Sequence, residues 1–405
     1  MIEAGSRSSG PSGPPGLSER LTGLRPTAVN SILAEVREAQ AAGVSVVSLM
    51  RGEPDFRTPA HIAEAAAKAL ADGRTSYPDN RGELVLREAV ATKLARDNAL
   101  TYDAGSEILV TTGATFGIHA ALTTLLNAGD EVLIPDPIYD AYYSPILLAG
   151  GVVRTVPATI ASGRFELALD ALEAAVTPAT RVLLLNTPWN PVGTVFGKAE
   201  LEAIGAFVLK HGLTLVSDEI YEAIVYDGHT HLSPASLSPE LRNRTVLVNS
   251  LSKTYAMTGW RVGYCAAPAE LTRAMLLVLQ QSSRGPATFI QDAAAVALTA
   301  SQACVVEMRD EYARRRTTVL EALGGLGRIR ALPPEGGFFA MVDARATGVP
   351  SNDIRRTLLR EHGVVVAHGS AYGPGGEGTL RVSFATGGDV LARGLDRLRT
   401  GLASL

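Results

Sequence analysis

Seven short apolar runs, at residues 108–110, 131–134, 152–156, 181–185, 213–217, 245–249 and 261–266, recur along the middle of the chain. Helix-like segments such as 117–126, 167–176 and 199–211 fall between most of them. Strands that alternate with helices are joined by crossovers, so the sheet they form is largely parallel and covered on both faces. Ligands of such sheets gather at the carboxyl ends of the strands. Residues that close these runs are therefore the first candidates for chemistry.

Ala-rich amphipathic segments at 60–70 and 84–96 precede the runs, separated by the turn-prone stretch 78–82. After Arg284-Gly285-Pro286 the texture changes to one long helical stretch over 288–323, then strands at 338–342, 363–366 and 379–384 with helices at 351–362 and 389–402. At 405 residues the chain also exceeds the roughly 250 to 300 at which a single core stops growing. The expected fold class is α/β: a large domain, 56–290, with a mostly parallel seven-stranded sheet flanked by helices, plus a smaller α+β domain, 291–405. Residues 17–55 join the smaller domain from the N-terminal side. Ser, Gly and Pro dominate 5–16 and bury too little to offset the entropy of ordering, so 1–16 is expected to be a disordered tail.

Lys and Arg number 37 against 41 Asp and Glu, a balance of 37 − 41 = −4, so no basic surplus exists for a nucleic-acid partner. No apolar run approaches the roughly 18 residues of a membrane span, and the N-terminus lacks the pattern of a secretory signal. Cys265 and Cys304 match neither a disulfide framework nor a metal spacing, which predicts no metal site and suits a reducing cytoplasm.

The most informative segment runs from Asn249 to Tyr264, after an apolar run. Lys253 there, close to the hydroxyls of Ser250 and Ser252 and to a second cation, Arg261, can be kept partly desolvated and neutral, able to attack a carbonyl and form a Schiff base. A lone lysine in a turn would read as a solvated surface group; these neighbours weigh against that. Asp218 closes the run before it and can pair with a protonated ring nitrogen, and Tyr221 can donate to a ring oxygen, though each alone would read as a cap or a packed group. Asn190 sits between two prolines in a turn after 181–185. Gly113, Ala114 and Thr115 lie between a strand and a helix, where free N–H groups meet an anion. Tyr139 can stack on a flat ring.

Taken together the set resembles class I and II aminotransferases, pyridoxal-phosphate enzymes of fold type I, over nearly all of the chain after Leu17. Asn190, Asp218, Tyr221, Lys253 and Arg261 stand in family order, with 28 residues from Asn190 to Asp218, 35 on to Lys253 and eight on to Arg261. The resemblance implies that Lys253 carries pyridoxal 5′-phosphate and shuttles the substrate Cα proton. It implies that Asp218 holds the ring nitrogen, Asn190 and Tyr221 the ring oxygen, Tyr139 the ring face, and Gly113 to Thr115, Ser250, Ser252 and Arg261 the phosphate end. Arg381 would grip the substrate α-carboxylate, with the backbone of Gly52 close by. Tyr77 would reach the phosphate of a neighbouring subunit, making a homodimer with shared active sites.

The implied reaction moves an amino group from an L-amino acid to a 2-oxo acid, 2-oxoglutarate as acceptor, by a ping-pong mechanism. Alternatives are a β-eliminating lyase or an oxidase on the same scaffold, and a non-catalytic regulator, against which the intact Lys253 and Asp218 argue. Val192, Trp189 and His368 depart from the family pattern and, with Arg284, are candidates for shaping the substrate pocket.

Overall fold

Strands β1 (Ile108–Thr111), β2 (Glu131–Asp136), β3 (Val152–Pro157), β4 (Thr180–Asn186), β5 (Thr214–Asp218), β6 (Thr245–Ser250) and β7 (Gly263–Ala266) form one sheet in a computed structural model of the chain. The structure describes Gly16, Ser18, Leu21, Gly23, Leu24 and residues 26–405. Apart from Gly16, the expected disordered tail lies outside the described residues. The order is β1-β7-β6-β5-β4-β2-β3, with β7 antiparallel to both neighbours and every other pair parallel.

These strands read as unbroken apolar runs because successive side chains enter different cores on the two faces. Leu109, Val246 and Val248 pack with Ile118 and Met275 on one face. Ile108, Val110 and Leu247 pack with Leu86 and Ala294 on the other. The helix Gly113–Leu125 lies so close to the sheet that a Cβ on Gly117 would stand 2.7 Å from Cys265 Sγ.

The helical stretch expected over 288–323 is two helices, Thr288–Thr299 and Ala303–Ala322, bent by 76°. Gln302 Nε2 donates to the carbonyls of Ala297 and Ala300 at the break, which satisfies groups that the next helical turn would have used. Thr288–Thr299 packs with Ala60–Ala71 and Leu84–Asn98 beside the large sheet. No single helix among the described residues is long and apolar enough to cross a membrane.

A second, antiparallel sheet runs in the order Arg330–Leu332, Phe339–Asp343, Thr379–Ser383, Ala367–His368. Its core takes in Tyr312 and Val319 of Ala303–Ala322 and Leu395 and Leu398 of Gly388–Ala403. Val47–Ser48 pairs in parallel with Val364–Val365, and Ile32 and Val36 of Ala28–Ala41 pack against Leu359 and Tyr372. The N-terminal segment is thus built into the side that carries the second sheet. Between the two sheets lies the carboxyl edge of β4, β5 and β6, closed by Asn186, Asp218 and Ser250.

Candidate active site

A cavity of about 360 Å³ opens at that edge, lined by residues from both sheets and from the N-terminal segment. One end suits an anion. Gly113 adopts φ +75° and begins a helix whose first turn has no side-chain cap; Ala114 and Thr115 of that turn line the cavity. A Cβ on Gly113 would stand 2.6 Å from Arg261 Nη2, so only glycine lets the guanidinium close on this turn. Arg261 spends one N–H on Thr258 O, at 2.9 Å, and has no carboxylate partner among the described residues. Ser250 Oγ and Ser252 Oγ are 2.8 Å apart beside it.

Asp218 is 4% exposed at the end of β5. Burial pushes its pKa up to about 6, against the Tyr142 hydroxyl, which donates at 2.7 Å, and the Ile220 N–H, which donates at 3.2 Å. A cationic ring N–H would restore the charged form. Tyr221 is buried edge-on to Phe338, and its hydroxyl engages no partner among the described residues. Tyr139 lines the cavity with its ring edge-on to Tyr142 at 5.4 Å.

Lys253 Nζ donates to Gly52 O at 2.6 Å. Its stem is packed into the cavity wall, and burial lowers its pKa to about 8; Glu53 and Asp218 oppose the shift, Arg261 and Arg381 add to it. The neutral fraction near neutrality is therefore far larger than for an ordinary lysine, about a tenth at pH 7.

Arg381, 3% exposed in Thr379–Ser383, lies with Cζ 4.0 Å from the Phe339 ring centroid and 4.8 Å from that of Tyr372. Its Nη1 donates to Asn190 Oδ1 at 3.3 Å, and its Nε has no partner among the described residues. Asn186 Oδ1 accepts from Asn190 N at 2.7 Å and Asn186 Nδ2 donates to Asp218 O at 2.9 Å, so one amide ties the ends of β4 and β5 to the loop that carries Asn190.

The cavity thus brings together Gly52, Ala114, Thr115, Tyr139, Asn190, Asp218, Tyr221, Ser250, Ser252, Lys253, Arg261 and Arg381, with Gly113 directly behind Arg261. Tyr77 is not among its walls. It is 86% exposed, with Arg284 Cζ 5.4 Å from its ring centroid. Three expected pocket-shapers are elsewhere: Trp189 is buried against Phe196 and donates to Pro137 O, Val192 packs in the same core, and His368 bonds Ser370 Oγ outside the cavity. Sequence reasoning missed Asn186, Tyr142, Phe339, Tyr372 and Asp140. The spacing Tyr139-x-x-Tyr142 was the one available signal, since three residues place both on one side of a turn.

Glu219, Glu222 and His231 bring possible ligand atoms within 4.8 Å of one another below Asp218. Ser217 and Ser233 donate to Glu219, and Lys93, Asn98 and Asn249 to Glu222, so the carboxylates already have partners and Lys93 supplies a cation.

Comparison with known proteins agrees with this geometry. Residues 44–398 match the family model described as aminotransferase class I and II. An aromatic-amino-acid aminotransferase of Thermococcus litoralis is 41% identical over 384 residues, 94% of this chain and 97% of that one. An arginine–pyruvate transaminase of Pseudomonas aeruginosa is 39% identical over 363 residues, 90% and 91% of the two chains. The aspartate aminotransferase of Thermus thermophilus, solved with maleate, superposes with a TM-score of 0.89 at 38% identity, over 96% of this chain and all of that one. Similarity of this extent, through sequence and fold alike, means that the chain belongs to aminotransferase class I and II, the pyridoxal-phosphate-dependent enzymes that transfer amino groups.

Proposed function

We propose that this enzyme moves the amino group of an L-amino acid to a 2-oxo acid, with 2-oxoglutarate as acceptor, in two alternating half-reactions at the cavity between the sheets. The observation that carries the reading is Arg381: a guanidinium 3% exposed, without a carboxylate partner among the described residues, opening on the same cavity as Lys253. A buried cation so placed is stabilised by a ligand carboxylate taken in a fork.

The residues present fit the cofactor. Gly113 leaves room for an anion-holding guanidinium, and Asp218 offers a buried carboxylate whose charge a ring N–H would offset. When bound, pyridoxal phosphate supplies a carbonyl and an electron-accepting ring. Arg261, Ser250, Ser252 and the N–H groups at Gly113 to Thr115 would bind its phosphate. Asp218, kept in place by Tyr142, would hold the proton on the ring nitrogen; Asn190 and Tyr221 would donate to the ring oxygen and Tyr139 would cover a face. Lys253, whose pKa burial lowers, would hold the cofactor through its carbonyl, and its Nζ would take the proton from the substrate Cα. Arg381 and the Gly52 backbone orient the substrate so that its Cα–H faces Nζ.

The lyase and oxidase alternatives share these residues. A single half-reaction with donor and no acceptor separates them by what is released per site. The exposed pair Tyr77 and Arg284 supports a homodimer in which each chain completes the other's site. The two sheets support a division into a large and a small domain, set after Thr288–Thr299, since that helix packs beside the large sheet. A cytoplasmic enzyme with no nucleic-acid or membrane partner agrees with the charge balance and the cysteine pattern.

A further inference from the structure

Among the described residues five charged side chains line the cavity: Lys253, Asp218, Arg261, Arg381 and Asp140. The first four have uses in the reading above; Asp140 has none. It opens a short helical turn, Asp140–Tyr142, directly after Tyr139, and is half-buried. Its Oδ2 accepts the Ala28 N–H at 2.9 Å, which fixes the carboxylate between the N-terminal helix and the cavity wall. No Lys, Arg or His pairs with it among the described residues. Burial raises its pKa, offset by the Ala28 N–H, the field of Arg381 and the N–H groups of its own turn.

An anion drawn out of water without a counter-cation, beside a binding cavity, favours a ligand that brings the cation. The walls nearby suit one with a methylene stem: Val29, Tyr139, Phe339 and Tyr372 offer apolar and aromatic surface. Arg381 and Asp140 face the same space without forming an ion pair, so a ligand with a carboxylate at one end and a cation at the other can meet both. A distal carboxylate there would meet the charge of Asp140 instead.

We propose that Asp140 selects amino donors whose side chains end in a cation, the class of L-arginine, L-lysine and L-ornithine, by pairing with the distal guanidinium or ammonium. The proposal rests on the transamination reading for the placement of the α-carboxylate on Arg381.

The test uses the holoenzyme and two readouts. Single-turnover kcat/KM is measured for L-arginine, L-lysine, L-norleucine and L-glutamate, and calorimetry gives Kd for deamino-arginine, which cannot react, against hexanoate. Native enzyme should prefer the cationic donors to norleucine by about tenfold or more. Asp140→Asn keeps an acceptor for the Ala28 N–H and should lower kcat/KM for arginine and lysine roughly 10- to 100-fold, mainly through KM. Norleucine should stay within about threefold, glutamate should improve, and the preference for deamino-arginine should vanish. Equal rates for arginine and norleucine in the native enzyme overturn the proposal. So does an equal loss for every donor in the variant, which would make Asp140 a tether for the N-terminal helix. If no donor reacts but deamino-arginine still binds better to native enzyme than to the variant, the transamination reading fails and donor selection with it, while the pairing of Asp140 with a distal cation stands. Should Asp140→Asn not fold, the native ranking of donors and analogues decides.

Discussion

Lys253 is useful because its surroundings make its charge expensive. With its pKa lowered to about 8 by burial, the neutral fraction rises about tenfold per pH unit below 8 and levels above it, whereas a lysine at its ordinary value would keep gaining to beyond pH 10. The rate at which apoenzyme captures pyridoxal phosphate should therefore rise from pH 6 and flatten near 8, and a rate still climbing at pH 10 would contradict the burial argument. For Asp218 the charge should matter more than the shape. Asp218→Asn should keep the fold and bind cofactor, yet lose at least about a hundredfold in kcat, whereas a mere cap would change stability by about 1 kcal/mol and leave turnover alone. Asn190, Asp218, Tyr221, Lys253 and Arg261 were legible in the sequence because the first four lie at or just after the ends of apolar runs, Arg261 opens the last run, and their spacings match the family order. Asn186 and Tyr142 were not, because their importance lies in a bond to another residue's carbonyl, amide or carboxylate, and spacing along the chain does not display those partners. Trp189 and His368 misled for the converse reason: a departure from a motif marks a change of residue, and packing decides whether it faces the cavity.

At the scale of elements, all seven strands of the large sheet were legible, since burial on both faces turns each into an apolar run. The strands Arg330–Leu332 and Ala367–His368 were not. Two or three residues carry no period, and pairing with neighbours distant in sequence is what makes them strands. The helical stretch expected over 288–323 hid a sharp break because Gln302, a good helix former, caps the preceding helix with its side chain. Close approach between β7 and the Gly113 turn is a further property of elements. A Cβ on Gly263 would stand 2.7 Å from Asn249 O and 2.8 Å from Gly113 C, both backbone atoms that cannot swing aside. Gly263→Ala should therefore cost about 1–3 kcal/mol of stability in thermal unfolding and weaken cofactor affinity together with it. Loss of stability with unchanged affinity would separate this strand from the anion end of the site.

The whole molecule brings two sheets together around a cavity that neither could form alone, with the N-terminal segment joined to the second sheet through Val47–Ser48. If Tyr77 completes a partner's site, mixing a Tyr77→Ala chain with a Lys253→Ala chain should restore activity in heterodimers, up to about one native site in two. Activity in a monomer proven by sedimentation would contradict shared sites. The central claim is that the amino group leaves the donor and stays with the enzyme until a 2-oxo acid takes it. The direct measurement is one half-reaction: holoenzyme with excess donor, no acceptor, and quantified products. Transfer predicts one oxo acid per site, no ammonia, then arrest, with turnover resuming when a 2-oxo acid is added. Ammonia released continuously in the absence of an acceptor, or oxygen consumed in step with product, would contradict it.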